Sequence, residues 1–393
     1  MELPIWHWDG PMIYHSGLDS PSPGVPALSQ TAWHIGLMSG TSMDGIDAAL
    51  LRTDGVTLAE FGPALTLPYE LALHQRIRAC LNEGAGKQGG GDAPALSRDL
   101  AAAHAVAVQV LLDQAGLAAA DIAWLGFHGH TLLHRPAAGR TWQIGDGALL
   151  AKLTGIDVVA DFRSADVAMG GQGAPLVPLY HSALARYAQL APPLLVLNLG
   201  GVGNVTYIGG EDDNDLIAFD TGPGNALIDD WMQQRTGKPQ DAGGATAAKG
   251  QVHADRLARL LDHAYFSAPP PKSLDRNDFT AQAVEGLSTE DGAATLAAFT
   301  AASVARGLGH LPQRPLRCLV CGGGRHNATL MKLLTRHLNM PVEAVEAVGW
   351  NGDHLEAEAF AYLAARAVRG LPLSLPGTTG VRLPVSGGRL YRA

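Results

Sequence analysis

The sequence predicts an α/β protein of two lobes facing each other across a cleft, and three observations carry that expectation. A chain of 393 residues exceeds what one hydrophobic core usually organises. Apolar runs of strand length alternate with stretches of helical period along most of it. A strand, glycine turn and strand at residues 35–51, IGLMSGTSMDGIDAALL, return at residues 194–208, with Gly200 standing 160 residues after Gly40. Such a recurrence points to two related halves, each presenting a glycine hairpin to one ligand.

Composition narrows the function. A net charge of −9 without a Lys/Arg run argues against nucleic acid, whose phosphates are held by clustered basic side chains. No apolar run is long enough to cross a bilayer and the first residues lack the layout of a secretory signal, so no membrane partner and a cytoplasmic location are expected. Cys80, Cys318 and Cys321 make no disulfide framework. The last two have C-x-x-C spacing, but they lie in an apolar run without a second Cys/His pair, as buried strand residues would.

Residues 1–32 are proline-rich, show no sustained period and are expected to be a flexible extension outside the core. The turn Ser39, Gly40, Thr41, Ser42, Met43, Asp44, Gly45, leading to Ile46, combines hydroxyls, freed amides and two glycines. That is either a polar solvent turn or a cradle for phosphate oxygens. After it, a strand is expected over 56–67, a helix over 69–80, and an alanine-rich helix over 94–114 with Pro94 at its start. The strand Ile122–Phe127 runs into His128, Gly129, His130 and Thr131, where an α/β sheet usually presents ligand-contacting groups. A short helix over 148–154 and a strand over 156–160 follow.

That strand opens a dense polar region: Asp161, Arg163, Asp166, then Gly170 to Gln172 and on to Pro175. Charged residues before a glycine turn make a poor core and a poor helix, but a good rim for a hydroxylated, carboxylated ligand. A solvated loop is the alternative. Residues 177–190 have helical spacing, and Pro192 and Pro193 mark a boundary at residue 193 between a first lobe, 33–193, and a second, 194–393. In the second lobe Gly200, Gly201 and Asn204 form the recurring turn. Asp220 closes a strand before a turn that frees amides at a helix start, placing a general base beside an anion site or merely capping the helix. Lys272, in a proline-rich segment, is within reach of the cleft. Gly322, Gly323 and Gly324 separate a strand from a helix, leaving backbone for a flat base or ribose. Glu356, near the start of a helix over 353–364, either complements the helix dipole or faces the cleft as a ligand. That C-terminal helix is able to pack back on the first lobe.

Taken together, GLMSGTSMDGID at 36–47, HGHT at 128–131, TGIDVVADFRSADVAMGGQGAPLVP at 154–178, NLGGVGNVT at 198–206, FDTGPGNALIDDW at 219–231, CGGGRHN at 321–327 and DHLEAEAFAYLA at 353–364 resemble the anhydro-N-acetylmuramic acid kinase family, within the superfamily of actin, sugar kinases and heat-shock ATPase domains. The resemblance runs from Trp33 to near the C-terminus. It implies two ribonuclease-H-like lobes with mixed sheets closing over an ATP/sugar cleft. It implies the phosphate loop at Ser39 to Ile46, the catalytic base at Asp220, and ATP and Mg²⁺ as cofactors. The implied reaction opens 1,6-anhydro-N-acetylmuramic acid to N-acetylmuramic acid 6-phosphate in peptidoglycan recycling.

With that reading, Gly200, Gly201, Asn204 and Gly322 to Gly324 are expected to bind nucleotide, and His128, Asp161, Arg163, Asp166, Gln172, Pro175 and Glu356 to bind sugar. Asp44 is expected to hold Mg²⁺ through water, and a homodimer is expected. His130 stands where the family usually has Gln, and residues 1–32 have no counterpart in it. A related kinase acting on another hydroxylated metabolite, or an ATP-switched binding protein of actin or chaperone type, would share the glycine hairpins.

Overall fold

The computed structural model describes residues 30–40, 45–82, 92–274, 276 and 278–393. Strands β1 (Ala32–Met38), β2 (Gly45–Thr53) and β3 (Leu58–Pro68) form an antiparallel meander. Strand β4 (Ile122–Phe127) pairs parallel with β1. The hairpin β5 (His130–Arg135) and β6 (Arg140–Ile144) stands apart, and β7 (Val158–Ala160) pairs parallel with β4. In the second half β8 (Leu194–Leu199), β9 (Val202–Ile208) and β10 (Leu216–Pro223) repeat the meander, and β11 (Cys318–Cys321) and β12 (Val342–Ala344) extend it in parallel. The two sheets therefore share one strand order, β7-β4-β1-β2-β3 against β12-β11-β8-β9-β10 (with β3 and β10 at matching edges). The last strand, β13 (Arg389–Tyr391), adds to β7, so the C-terminus belongs to the first sheet and the division at residue 193 separates every strand but this one.

Side chains alternate across each pleat and so serve two cores. On β8, Leu194 and Val196 enter the central core while Leu195, Leu197 and Leu199 enter an outer one. On β11, Cys318 and Cys321 point into opposite cores, as a three-residue separation on a strand requires, and both are free thiols. The central core holds the helices Pro178–Tyr187 and Leu355–Val368 between the sheets. The outer faces are covered by Ala93–Ala115 and Gly147–Thr154 on the first sheet, and by Thr289–Gly307 and Ala328–Leu338 on the second.

The Leu355–Val368 helix lies unusually close to the first sheet. Gly36 and Gly126 are cross-strand partners on β1 and β4, and a Cβ on either would stand 1.8 Å from the Ala357 carbonyl oxygen or 2.1 Å from that of Phe360. Backbone meets backbone there, which only glycine permits.

Several local expectations are corrected. The hairpin β5–β6 forms where the sequence announced no strand, because Pro136 and a left-handed Gly139 reverse the chain. Residues Ser164–Ala168 are helical and Asp166 is 2% exposed, where a rim loop was expected. Its charge is tolerated because both oxygens accept hydrogen bonds, from Gly173 N–H at 2.6 Å and the Thr379 hydroxyl at 2.6 Å. A strand is expected from the sequence over 342–348, but it ends at Ala344 and continues as a 3₁₀ turn, Val345–Val348. Ala93–Ala115 is long and apolar enough, by length and composition alone, to cross a bilayer, but Leu96, Leu100, Val108 and Leu111 bury its inner face against neighbouring elements, as in a core helix.

Candidate active site

The site is built where the two meanders end. Asp220 lies opposite Asn204, which lies opposite Asn198, so the three share one face across β10, β9 and β8. A bulge after Asp220 skips Thr221, whose hydroxyl donates to Gly203, and turns the chain toward the helix Ala226–Thr236. Asp220 is half-buried. Its Oδ2 accepts the Leu274 N–H at 2.8 Å, and its own N–H donates to the Lys272 carbonyl at 3.0 Å. Desolvation pushes its proton affinity up to about 7, against the pull of the Leu274 amide. A carboxyl group in that range exchanges protons near neutrality, as a general base must.

Beside it stands a glycine cradle. The main chain of Gly200 and Gly201 is held by the N–H groups of Gly224, Asn225 and Ala226, and Asn225 Nδ2 donates to the Leu199 carbonyl at 2.9 Å. Gly322 adopts φ +73°, and with Gly324 it packs against the end of β8, where a Cβ would collide with Asn198 or Leu199. At Gly200, Gly201 and Gly323 a built Cβ would instead make only ordinary van der Waals contact, with the nearest atom 3.7, 3.7 and 3.9 Å away. Gly201 and Gly323 are exposed, so their backbone is within reach of a phosphate or ribose. Behind the triplet, Arg325 is nearly enclosed and paired with Glu346 at 2.8 Å and Asp353 at 2.7 Å. Sequence reasoning did not single it out, since the pairing spans separate loops.

The first half supplies the opposite wall. Ser39 is buried, its hydroxyl shared with the Tyr69 hydroxyl and with His130 Nδ1 at 2.9 Å. Thr41, Ser42, Met43 and Asp44 lie outside the described residues. Gly40 is half-buried, Gly45 abuts the Leu67 carbonyl, and the Ile46 side chain is committed to the core. Asp161 ends β7 with φ +56°, a left-handed turn that Asp tolerates, and remains exposed.

Arg163 then returns to the sheet end, donating from Nε and Nη2 to His128 Nε2 at 3.1 and 2.9 Å and from Nη1 to the Gly173 carbonyl at 2.6 Å. His128 donates its other ring N–H to the Gly129 carbonyl at 2.9 Å and is held neutral by burial and by the guanidinium. Burial lowers Arg163 to about 10, opposed by the charges of Glu356 and Asp166. Gln172 and Pro175 stand half-buried on the turn that Asp166 fixes.

Glu356 joins the halves. It is carried by the closely seated Leu355–Val368 helix and accepts from Asn198 Nδ2 at 3.1 Å. Burial raises its proton affinity, Arg163 pulls it down and Asp47 raises it again. The fold thus brings Asp220, Asn204, the glycine cradle, Glu356, Arg163, His128 and Gln172 to the strand ends, with Asp166 behind the turn and Asp161 outermost. Among the described residues no cluster of His, Cys, Asp or Glu is assembled to enclose a metal ion.

A family model described as anhydro-N-acetylmuramic acid kinase matches residues 32–393. The anhydro-N-acetylmuramic acid kinase of Rhodospirillum rubrum is 58% identical over 361 residues, 92% of this chain and 94% of that one. That of Paramagnetospirillum magneticum is 57% identical over 358 residues, 90% of this chain and 98% of the relative. A solved structure, component A of the (R)-2-hydroxyglutaryl-CoA dehydratase of Acidaminococcus fermentans, has a TM-score of 0.47 at 12% identity over 86% of this chain and 99% of that one, a likeness too loose to inform the site. With its family match extending from the first strand to the last residue, this chain belongs to the anhydro-N-acetylmuramic acid kinase family and is a kinase.

Proposed function

We propose that the protein uses ATP to open 1,6-anhydro-N-acetylmuramic acid and to phosphorylate its 6-oxygen, giving N-acetylmuramic acid 6-phosphate and ADP as a step in peptidoglycan recycling. The observation that carries the reading is Asp220: one carboxyl group with proton affinity near neutrality, at a strand end between a glycine cradle and a polar wall. Relatives named for this substrate supply its identity.

In the proposed reaction Asp220 takes a proton from water as its oxygen bonds to the anomeric carbon. The bond from that carbon to the bridging 6-oxygen breaks, and the 6-oxygen takes the γ-phosphoryl group in place of a proton. ADP leaves and Asp220 returns its proton to solvent. No separate acid is required, because phosphoryl capture neutralises the departing oxygen.

Gly200, Gly201, Asn204 and Gly40, with the hydroxyl turn at Thr41 and Ser42, would hold the phosphates, and the turn at Gly322 to Gly324 the nucleoside. Arg163, Gln172, Glu356 and His128 would orient the sugar, with Asp161 and Pro175 at its outer edge. Asp166 acts through the turn it fixes. When bound, Mg²⁺ neutralises phosphate charge, with Asp44 its proposed partner through water. Turnover in heavy-oxygen water tests the reading: label is expected at the anomeric hydroxyl of the phosphorylated product and only with ATP present. Label in the phosphate, or sugar opening without nucleotide, would sink it.

A further inference from the structure

Residues 272–274 cross the gap between Asp220 and the turn that carries Gln172. The Lys272 carbonyl accepts the Asp220 N–H at 3.0 Å, and the Leu274 N–H donates to Asp220 Oδ2 at 2.8 Å. Between them, Ser273 Oγ donates to Gln172 Oε1 at 2.8 Å. The strap is itself fastened, with Lys272 Nζ donating to the Tyr265 carbonyl at 2.9 Å and lying 4.5 Å from the Tyr265 ring centre. On the other side, the Gln172 N–H donates to Thr379 at 2.7 Å, and the Thr379 hydroxyl is bonded to Asp166. Because Ser273 engages the oxygen of the Gln172 amide, the two N–H donors of that amide are left for another acceptor.

We infer that this strap is a positioning element for the proposed reaction: an acceptor oxygen of the sugar holds Gln172, Gln172 holds Ser273, and Ser273 keeps the Leu274 N–H on the Asp220 carboxylate. The base is thereby set for water when the sugar is in place. The inference rests on the phosphotransfer reading above. Ser273 touches no reacting atom, so its part is played through Leu274. A hydrogen bond donated to a carboxylate favours its ionised form, and the strap is the one element supplying such a donor to Asp220 among the described residues. The other groups around it are the neutral Asn204 opposite on β9, the Tyr265 hydroxyl on its main-chain carbonyl, Lys272 on the strap, His310 behind Phe219, and Asp278 beyond Tyr265.

The test compares wild type, Ser273→Ala and the conservative Ser273→Thr by the pH dependence of kcat/KM for the sugar, and by ¹³C titration of the Asp220 carboxyl with and without sugar, nucleotide omitted. Ser273→Ala is expected to keep the KM for ATP, to lose about tenfold in kcat/KM at neutral pH, and to move the acidic limb upward by about half a pH unit. Ser273→Thr restores both. In wild type, sugar is expected to lower the Asp220 midpoint, and in Ser273→Ala to leave it in place. An unmoved acidic limb in Ser273→Ala, or a midpoint that responds to sugar equally in both proteins, overturns the inference. A wild type that does not turn the sugar over at all refutes the phosphotransfer reading instead, and the Asp220 titration without ligand still reports whether the strap sets the base.

Discussion

Asp220→Asn is expected to slow turnover severely and, above neutral pH, to make the protein more stable. In the native state burial raises the carboxyl group from 3.8 to about 7. Between those values the folded protein keeps a proton that the unfolded chain releases. The slope of unfolding free energy with pH follows protons bound by the unfolded minus the folded state, so it is negative in this window. Stability contributed by this group is full below pH 4, falls as pH rises, and reaches its minimum above 7. At about 1.4 kcal/mol per pH unit the cost at pH 8 is about 4 kcal/mol as a ceiling.

Asn carries no charge at any pH, and its Oδ1 can still accept the Leu274 N–H. The variant should therefore match wild type below pH 4 and gain about 2–4 kcal/mol near pH 8, while kcat falls by about 10²–10⁴. Urea unfolding of both proteins at the two pH values, with activity measured alongside, reads the difference. A stability gap that does not widen with pH would refute the burial argument, and retained activity would remove Asp220 from the base role.

Gly126→Ala should unseat the Leu355–Val368 helix, since the new Cβ would lie 2.1 Å from the Phe360 carbonyl oxygen. Overpacking of that kind costs about 1–3 kcal/mol, and displacing Glu356 by about 1 Å lowers kcat/KM by about a hundredfold. Calorimetry with steady-state kinetics checks both, and an unchanged melting temperature would show that the helix shifts freely. Arg163→Lys loses the fork shared by His128 and Gly173. The sugar KM should rise about tenfold with the ATP KM unchanged; the reverse pattern would move Arg163 to the nucleotide side.

Much of this organisation is legible locally. The strands Ile122–Phe127 and Leu194–Leu199 are bounded in the sequence as they are in the fold, because both are apolar runs stopped by polar or glycine turns. The matched hairpins disclose the repeated meander, and Asp220 is marked by its place before a glycine turn. What escapes the sequence depends on distant partners. Asp166 looks like a rim charge until Thr379, 213 positions away, supplies its second hydrogen bond. Gln172 and Ser273 meet across 101 positions. The glycines that seat the Leu355–Val368 helix resemble ordinary strand glycines, since neither carries any trace of the backbone that will lie on it. The hairpin β5–β6 escapes for another reason: consecutive leucines at 132 and 133 break the alternation that announces a strand.

Strand β13 has a consequence for how the chain comes to be folded. It pairs with β7 more than two hundred residues upstream, while the Leu355–Val368 helix covers β1 and β4. A nascent first half emerging from the ribosome would expose one face of its sheet until those late segments arrive. Pairings over such separations are slow and leave apolar surface open meanwhile. Synthesis order thus sets the moment of risk: the first sheet is begun early and finished last, and the residues that finish it also deliver Glu356 to the site.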